Sequence, residues 1–217
     1  MFVVDDGSSD ATAALARAAG ATVLGNAARR GKGASLRRGM REALDRGSAR
    51  IVTLDGDGQH QPSDIPRLVA ASVAFPNHVV IGVRRRGGDR GPVARLLGNR
   101  FGSFWISLAA RQRIDDAQSG FRVYPAALAR RIVGEGVWHA GFAFESEVLI
   151  EAAGLGFRTI GVDVARIYGD VTARSSYFRP VRDTVSIAVV VTRQLLRRLA
   201  RGLGLRHSGQ LPIRPVR

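Results

Sequence analysis

The chain has 217 residues, of which 45% are hydrophobic, and it carries a formal net charge of +15. This size supports one well-packed core with additional elements and argues against two full domains. The absence of cysteine excludes a disulfide framework and a thiolate metal centre, and it is compatible with a reducing cytoplasm. No segment has the pattern of a signal peptide or an apolar run of about 18 residues, so we expect no part of this sequence to span a membrane by itself.

Strand-like and helix-like runs alternate through the first 83 residues. Short apolar runs predict strands, and amphipathic runs predict helices between them. In chain order these are a strand ending at Val3-Val4, a helix over Asp10 to Ala19, a strand over Thr22 to Leu24, a helix over Ala34 to Arg46, a strand over Ile51 to Leu54, a helix from Ser63 to about Ala74 and a strand over Val79 to Val83. Ser9 or Asp10 and Ser63 are the predicted N-caps. This order predicts an α/β fold with a mostly parallel sheet and helices on both faces.

The regular alternation ends at Arg84. A loop rich in glycine and arginine runs from Arg84 to Gly91, and such a loop can close over an anion. The remaining predicted elements are a long helix from about Val93 to Ala110, a short strand near Arg122, a helix from Phe142 to Ala153 and a strand from Thr159 to Val164 that ends the sheet.

The C-terminal quarter is strongly basic, because eleven arginines and only two aspartates lie between Arg166 and Arg217. Residues 183–204 predict an amphipathic basic helix that suits a membrane interface, although its apolar stripe could instead pack on the domain. We therefore predict a main domain over residues 1–182, this helix, and a flexible tail over 205–217.

Two strands end in carboxylates, at Asp5 and Asp6 and again at Asp55 and Asp57. Ligands of open α/β sheets bind at the carboxyl ends of strands, so both acidic ends are expected to face one cleft. Asp57 and Gln59 offer the hard oxygen ligands that Mg²⁺ or Mn²⁺ prefers. Each acidic end could also be only a solvated turn or a helix cap. Lys32 is the one lysine among 33 basic residues, and it has either a specific role or an ordinary solvated one.

Five motifs occur in the order found in one enzyme family. They are Val3 to Ser8, Gly31 to Gly33, Asp55 to Gln59, Arg84, and Asp116 to Arg122. With these residues the chain resembles the family 2 glycosyltransferases, and most of all their dolichol-phosphate mannosyltransferase-like branch, over about residues 2 to 182. The resemblance implies a GT-A fold, the nucleotide-diphospho-sugar transferase type.

The same resemblance implies a set of site residues. Asp57 and Gln59 would hold Mg²⁺ or Mn²⁺, and the catalytic residues would be Asp57, Arg84 and Asp116. The donor would contact Val4, Asp5, Asp6, Lys32, Asp55, Gly56, Arg166 and Arg174. The acceptor would contact Arg95, Ser119 and Arg122.

One departure from the family concerns its first βα unit, which this chain lacks. In the family fold that strand lies inside the sheet. We therefore expect apolar surface to be exposed beside the first acidic strand and the base pocket to be incomplete, as in a truncated chain or one with a misassigned start.

The resemblance implies metal-dependent, inverting transfer of a hexose from a nucleotide-diphosphate sugar of the GDP-mannose or UDP-glucose type. The acceptor would be membrane-associated, with a polyprenyl phosphate favoured. A phosphate acceptor needs no strong general base, whereas a hydroxyl acceptor would need Asp116 or Asp115. The enzyme would act in the cytoplasm, peripherally at the inner face of the cytoplasmic membrane, through its C-terminal helix. An inactive fragment and a basic protein that binds RNA or membranes are the alternatives; aromatic residues make up only 6% of the chain, so no nucleic acid partner is expected.

Overall fold

The computed structural model describes residues 1–84, 93–134, 141, 143–165, 185 and 188–196, with side chains from residue 101 onward in the helix that begins at 93. Strands and helices alternate through residue 84 as the sequence predicts. The strands are β1 (Phe2–Asp5), β2 (Thr22–Gly25), β3 (Arg50–Thr53), β4 (His78–Arg84), β5 (Arg122–Pro125) and β6 (Arg158–Val164). The helices are α1 (Thr12–Ala18), α2 (Lys32–Asp45), α3 (Ile65–Ala74) after a 3₁₀ turn at Pro62–Asp64, α4 (Val93–Ala110), α5 (Ala126–Gly134) and α6 (Ala143–Gly154).

The described strands form two sheets. β1 pairs with β2 in parallel, and the second sheet has the order β3, β5, β4, β6. β4 and β6 are parallel, whereas β5 lies between β3 and β4 and runs antiparallel to both. The predicted α/β class with a mostly parallel sheet is confirmed, and β5 is the strand that runs in the opposite direction.

β1 is only partly covered. All four of its residues are half-buried, whereas Val79, Val80, Ile81 and Gly82 of β4 are fully buried. A parallel strand inside an α/β sheet is normally buried on both faces. β1 forms a ladder with β2 alone among the described strands.

The main hydrophobic core gathers around α6. Nine of its twelve residues are buried, so this helix is central rather than peripheral. Side chains from α2, α4 and α5 pack into the same cluster, and Val190 and Val191 join it from residues 188–196. A second, smaller cluster contains Leu68, Val80, Phe121, Val123 and Val164. The acidic strand ends lie at the margin of this core.

Three local predictions differ from the structure. α1 begins at Thr12, and Asp10 accepts the Thr12 N–H at 3.0 Å instead of capping the helix from its N-cap position. Ser63 lies inside the 3₁₀ turn, where Pro62 fixes the backbone before α3 begins. α5 was not predicted, because its nine residues directly follow β5 without a loop that would separate them.

The helical residues 188–196 pack on the domain through Val190 and Val191, while Val189 and Leu196 stay exposed. Packing on the domain therefore holds for Val190 and Val191, and the membrane contact of this stripe stays a prediction. The predicted boundaries near 182 and 204, and the tail over 205–217, lie outside the described residues. Within the part of the chain that the structure describes, no helix is long and apolar enough to cross a membrane.

Candidate active site

Asp6, just after β1, organises the loop between β2 and α2. Its carboxylate accepts the side-chain N–H of Asn26 at 2.8 Å and the backbone N–H groups of Arg30 and Gly31 at 2.8 and 2.7 Å. Burial alone would raise the pKa of Asp6, but these hydrogen bonds outweigh it and lower the pKa below the usual value of an aspartate. Because its oxygens are engaged in this way, Asp6 fixes the path of the loop that leads to Lys32.

Lys32 links two carboxylates that come from distant parts of the sequence. Its Nζ lies 2.8 Å from Oδ1 of Asp55 and 2.7 Å from Oε2 of Glu145. Burial alone would lower the pKa of Lys32, but the charges of Glu145 and Asp55 outweigh it and raise the pKa. Lys32 therefore stays cationic, and it is a structured part of the site rather than a solvated loop residue.

Asp55 is also held from its other side, by the backbone at Gly120. A Cβ atom placed on Gly120 would lie 2.6 Å from both Cγ and Oδ1 of Asp55. The neighbouring carbonyl of Gly120 accepts the Thr53 hydroxyl at 2.9 Å, which ties the end of β3 to this segment. The Asp55 carboxylate therefore packs directly against the backbone of Gly120.

Asp57 lies on the exposed turn beyond Asp55. Its Oδ1 accepts the backbone N–H of Gln59 at 3.0 Å, so the two predicted metal ligands share one short turn. His60 directly follows them, is buried, and packs its ring against Phe121 with the centroids 5.3 Å apart. Burial and the nearby Arg84 lower the pKa of His60, so its imidazole is neutral where it packs beneath the surface next to this turn.

Arg84 and Asp116 form a two-pronged ion pair. Nε of Arg84 lies 2.8 Å from Oδ2 of Asp116, and its NH2 group lies 2.8 Å from Oδ1. Both side chains are only 11% exposed. Burial alone would raise the pKa of Asp116, but the hydrogen bonds and charge of Arg84 outweigh it and lower the pKa. Asp116 is therefore a weak proton acceptor at neutral pH.

The structure does not bring Ser119 or Arg122 to a surface that an acceptor could reach, because both are 0% exposed. The Arg122 guanidinium donates to the carbonyls of Ser119, Ala117 and Glu145 and to the hydroxyl of Tyr124, at 2.8 to 3.2 Å. The prediction of direct acceptor contact by these two residues is wrong on this geometry. Arg122 instead joins the Asp116 loop to the start of α6.

Of the other predicted donor residues, Val4 is half-buried with its Cγ2 against Gly39 of α2, and Asp5 accepts the Ser8 N–H at 3.0 Å. Gly56 is exposed, with open space where a Cβ would lie. Arg166 and Arg174, and the side chain of Arg95, lie outside the described residues. Their roles stay predictions.

A comparison with protein families decides the relationship of this chain. The model of glycosyl transferase family 2 matches residues 1–136. The chain belongs to glycosyl transferase family 2. Its relatives also confirm the predicted branch: it is 31% identical over 172 residues to the undecaprenyl-phosphate mannosyltransferase of Micrococcus luteus, covering 76% of this chain and 70% of that protein. It is 28% identical over 173 residues to the polyprenol monophosphomannose synthase of Mycolicibacterium smegmatis, covering 76% of this chain and 65% of that protein.

Solved structures confirm the GT-A fold of this glycosyltransferase. Glucosyl-3-phosphoglycerate synthase from Mycobacterium tuberculosis, in complex with UDP, superposes with a TM-score of 0.61 at 21% identity, covering 96% of this chain and 70% of that one. The same enzyme in complex with Mn²⁺ and UDP-glucose superposes with a TM-score of 0.59 at 22% identity, covering 96% and 69%. At this identity the likeness concerns the fold alone.

Glu145 belongs to the candidate glycosyltransferase site but is not among the site residues that the sequence predicts. It lies in the first turn of α6, where an acidic side chain is favoured by the helix dipole, and its side chain is 8% exposed. A buried carboxylate needs a cationic partner, but the sequence offers one lysine and 32 arginines for that role. Its sequence distance from Lys32 hid the pair.

Gly120→Ala tests the contact beneath Asp55. The added methyl group would have to displace the Asp55 carboxylate, so we expect a loss of about 1 to 3 kcal/mol in unfolding free energy, as is typical of overpacking. Donor affinity should fall at least tenfold, because Asp55 would lose its position beside Lys32. Calorimetric titration with the donor nucleotide and thermal melts would measure both effects. Gly154→Ala, which meets no atom within 4 Å, is the matched control; equal losses in the two variants would contradict this role.

Proposed function

We propose that this glycosyltransferase is a metal-dependent, inverting enzyme that moves a hexose from a nucleotide-diphosphate sugar to a polyprenyl phosphate. The observation that carries this proposal is the buried pair that the candidate base Asp116 forms with Arg84. Both side chains are 11% exposed, and the hydrogen bonds and charge of Arg84 outweigh burial and lower the pKa of Asp116. A carboxylate held in this way is a poor general base, which favours an acceptor that is already anionic.

The chemistry then needs no proton transfer. An oxygen of the acceptor phosphate forms a bond to the anomeric carbon while the bond from that carbon to the donor diphosphate breaks, and the electron pair leaves with the diphosphate. One displacement of this kind inverts the anomeric configuration. Arg84 lies close enough to Asp55 and Asp57 for their charges to act on it, and Lys32 contacts Asp55. We propose that these two cations stabilise charge that develops on the leaving group.

The donor side rests on residues that are already held in place. Asp6 fixes the loop before α2, and Lys32 and Gly120 fix Asp55. We propose that Asp55, Lys32 and Gly56 contact the donor and that Asp5 lies near the nucleoside. Arg122 and Ser119 act as positioning residues beneath the Asp116 loop, since their polar groups are used inside the protein.

The residues at the tip of the turn fit a divalent metal ion. Asp57 and Gln59 supply a carboxylate and a carboxamide oxygen, which are hard ligands suited to Mg²⁺ or Mn²⁺. Among the described residues, no group of three or more His, Cys, Asp or Glu side chains is arranged to hold a metal. We therefore expect donor phosphate oxygens and water to complete the ligand set, as is usual for Mg²⁺. When bound, the metal would neutralise charge on the diphosphate.

Nucleotide binding tests the donor site directly. Thermal melts with GDP, UDP and other nucleoside diphosphates, with Mn²⁺ and again with a chelator, should show stabilisation by one nucleotide that the chelator removes. At a hundredfold excess over Kd the stabilisation is about 2.7 kcal/mol. Asp57→Ala should lose the metal-dependent part. Asp45→Ala, an exposed aspartate at the end of α2, should keep it. A chelator-sensitive shift that survives in Asp57→Ala would remove Asp57 from the metal site.

The transfer itself tests the acceptor. The protein is incubated with labelled donor and either a polyprenyl phosphate or the corresponding polyprenol. We expect label in the lipid phase only with the phosphate, and an anomeric configuration in the product opposite to that of the donor. Transfer to the alcohol alone would overturn the proposed acceptor, and retained configuration would overturn the single displacement.

A further inference from the structure

The outer face of α4 is an exposed apolar surface. Its members recur at helical spacing, and the exposed fractions are 64% for Phe101, 60% for Phe104, 37% for Trp105 and 48% for Leu108. The rings lie edge to face, with the Phe101 and Trp105 centroids 6.0 Å apart and those of Phe104 and Trp105 5.4 Å apart. These four residues, the α4 outer face, form one continuous patch.

The opposite face of α4 already packs on the domain. Ile106 and Ala109 are 0% exposed, and both belong to the main core. The segment 101–110 contains no charged residue. A helix that is apolar on all sides is normally covered on all sides, and contiguous exposed apolar patches mark interaction surfaces. The α4 outer face is therefore a candidate interaction surface.

Basic residues outnumber acidic ones in the sequence around the patch. Between residues 89 and 116 there are five arginines, at 90, 95, 100, 111 and 113, and three aspartates, at 89, 115 and 116; Asp116 pairs with Arg84. Arg111 is exposed at the end of α4, and Arg113 has a side chain that is 88% exposed although it contacts Asp115. Basic residues around exposed Trp and Phe are the composition of a surface that binds anionic lipid headgroups.

The position of α4 connects this surface to the site. The helix begins nine residues after Arg84 and ends six residues before Asp116, and Arg84 and Asp116 pair with each other. A docked α4 would thus hold the Arg84–Asp116 pair close to the lipid surface, where a polyprenyl phosphate presents its headgroup.

We propose that the α4 outer face docks on an anionic lipid bilayer, with its aromatic side chains in the interface and the flanking arginines at the headgroups. The proposal rests on the proposed function only for its choice of a bilayer as the apolar partner. It names a membrane contact separate from the basic helix predicted for residues 183–204.

Trp105 can report docking directly. The chain has two tryptophans, so Trp138→Phe leaves Trp105 as the sole fluorescent indole. Vesicles of phosphatidylcholine mixed with phosphatidylglycerol should shift its emission to shorter wavelength, and phosphatidylcholine alone should shift it less. Added salt should weaken the response, because headgroup attraction is screened. No shift with anionic vesicles would overturn the proposal.

Co-sedimentation with the same vesicles tests the residues. Phe104→Glu should weaken vesicle binding at least tenfold. It removes an aromatic side chain that would insert into the bilayer, and it adds to the protein a negative charge that anionic lipids repel. Phe75→Glu is the matched control, because Phe75 is 43% exposed at the end of α3, away from the patch. Equal binding of the two variants would show that α4 does not make the contact.

Two further measurements distinguish a bilayer from other occupants of the patch. If a second copy covers the patch, sedimentation velocity without lipid will show a dimer that Phe104→Glu dissociates, which would overturn the bilayer proposal. If another part of the chain covers the patch, Phe104→Glu will lower the melting temperature and leave vesicle binding unchanged. That result would also overturn the bilayer proposal. Docking needs no donor nucleotide, so vesicle binding and nucleotide-dependent stabilisation test different proposals. A protein that binds vesicles but is stabilised by no nucleotide would contradict the proposed donor site and still support the docking surface.

Discussion

Arg84→Ala is expected to lower kcat by about 10²- to 10³-fold, the loss typical of removing one charge-stabilising group from a transition state. The Arg84 side chain is 11% exposed, and burial alone would lower its pKa. The hydrogen bonds and charge of Asp116, together with the charges of Asp55 and Asp57, outweigh burial and raise the pKa. Arg84 is therefore a permanent cation beside the turn that carries the proposed metal ligands. Steady-state kinetics with donor and lipid phosphate would measure the loss.

The same substitution leaves Asp116 buried without its partner, which typically costs about 3 to 5 kcal/mol of stability. Denaturant unfolding would separate this effect from catalysis. Arg67→Ala is the control, because Arg67 also pairs with an aspartate but is 60% exposed, and exposed pairs contribute about 0 to 1 kcal/mol. Arg84→Ala with lowered stability and unchanged kcat in the folded fraction would make the pair purely structural.

Asp116→Asn separates the two acceptor chemistries at the same pair. With a phosphate acceptor no base is needed, so this variant should keep far more activity than Arg84→Ala. With a hydroxyl acceptor and Asp116 as the base, Asp116→Asn should lose as much activity as Arg84→Ala or more.

Lys32→Met is expected to have the second large effect. It removes the cation between Asp55 and Glu145, whose carboxylates each lie within 3 Å of Nζ. Two like charges would then face each other with side chains that are 26% and 8% exposed. We expect a loss of about 3 kcal/mol in unfolding free energy, as for other buried pairs broken on one side, and donor binding at least tenfold weaker. Denaturant unfolding and nucleotide titration would measure the two losses.

A second substitution distinguishes charge balance from donor contact. In Lys32→Met/Glu145→Gln one of the two facing carboxylates is neutral, so much of the lost stability should return. Donor affinity should not return, because the cation that would meet the donor is still absent. Recovery of both quantities in the double variant would mean that Lys32 serves only to balance the two acids.

The motifs at the strand ends can be recognised in the amino-acid sequence because each depends on a few neighbouring residues. An apolar run followed by Asp55, Gly56 and Asp57 predicts a buried strand and an acidic turn, and β3 and its turn lie there. α4 was predicted with both of its boundaries, from a long periodic pattern. Helix starts were less certain, since Asp10 and Ser63 can bond locally in more than one way.

Contacts between distant segments could not be predicted in the same way. The sequence contains Lys32, Glu145, Gly120 and Arg122, but nothing local shows that the first two pair, that Gly120 touches Asp55, or that Arg122 is turned inward. These contacts arise because β5 inserts between β3 and β4 in the reverse direction and brings residues 116–122 beside both strand ends. α6 then packs centrally and delivers Glu145 to Lys32.

The sequence by itself determined the family, the α/β order and the acidic turn with Asp57 and Gln59, because turn chemistry and apolar periodicity act over a few residues. The tertiary structure alone decided which charges are neutralised by partners. In the folded chain Asp116 pairs with Arg84, Arg122 is buried and the α4 outer face is exposed. The reason is physical: a side chain's charge state and exposure depend on what other segments place within a few ångströms of it, and neither periodicity nor spacing along the chain encodes that distance.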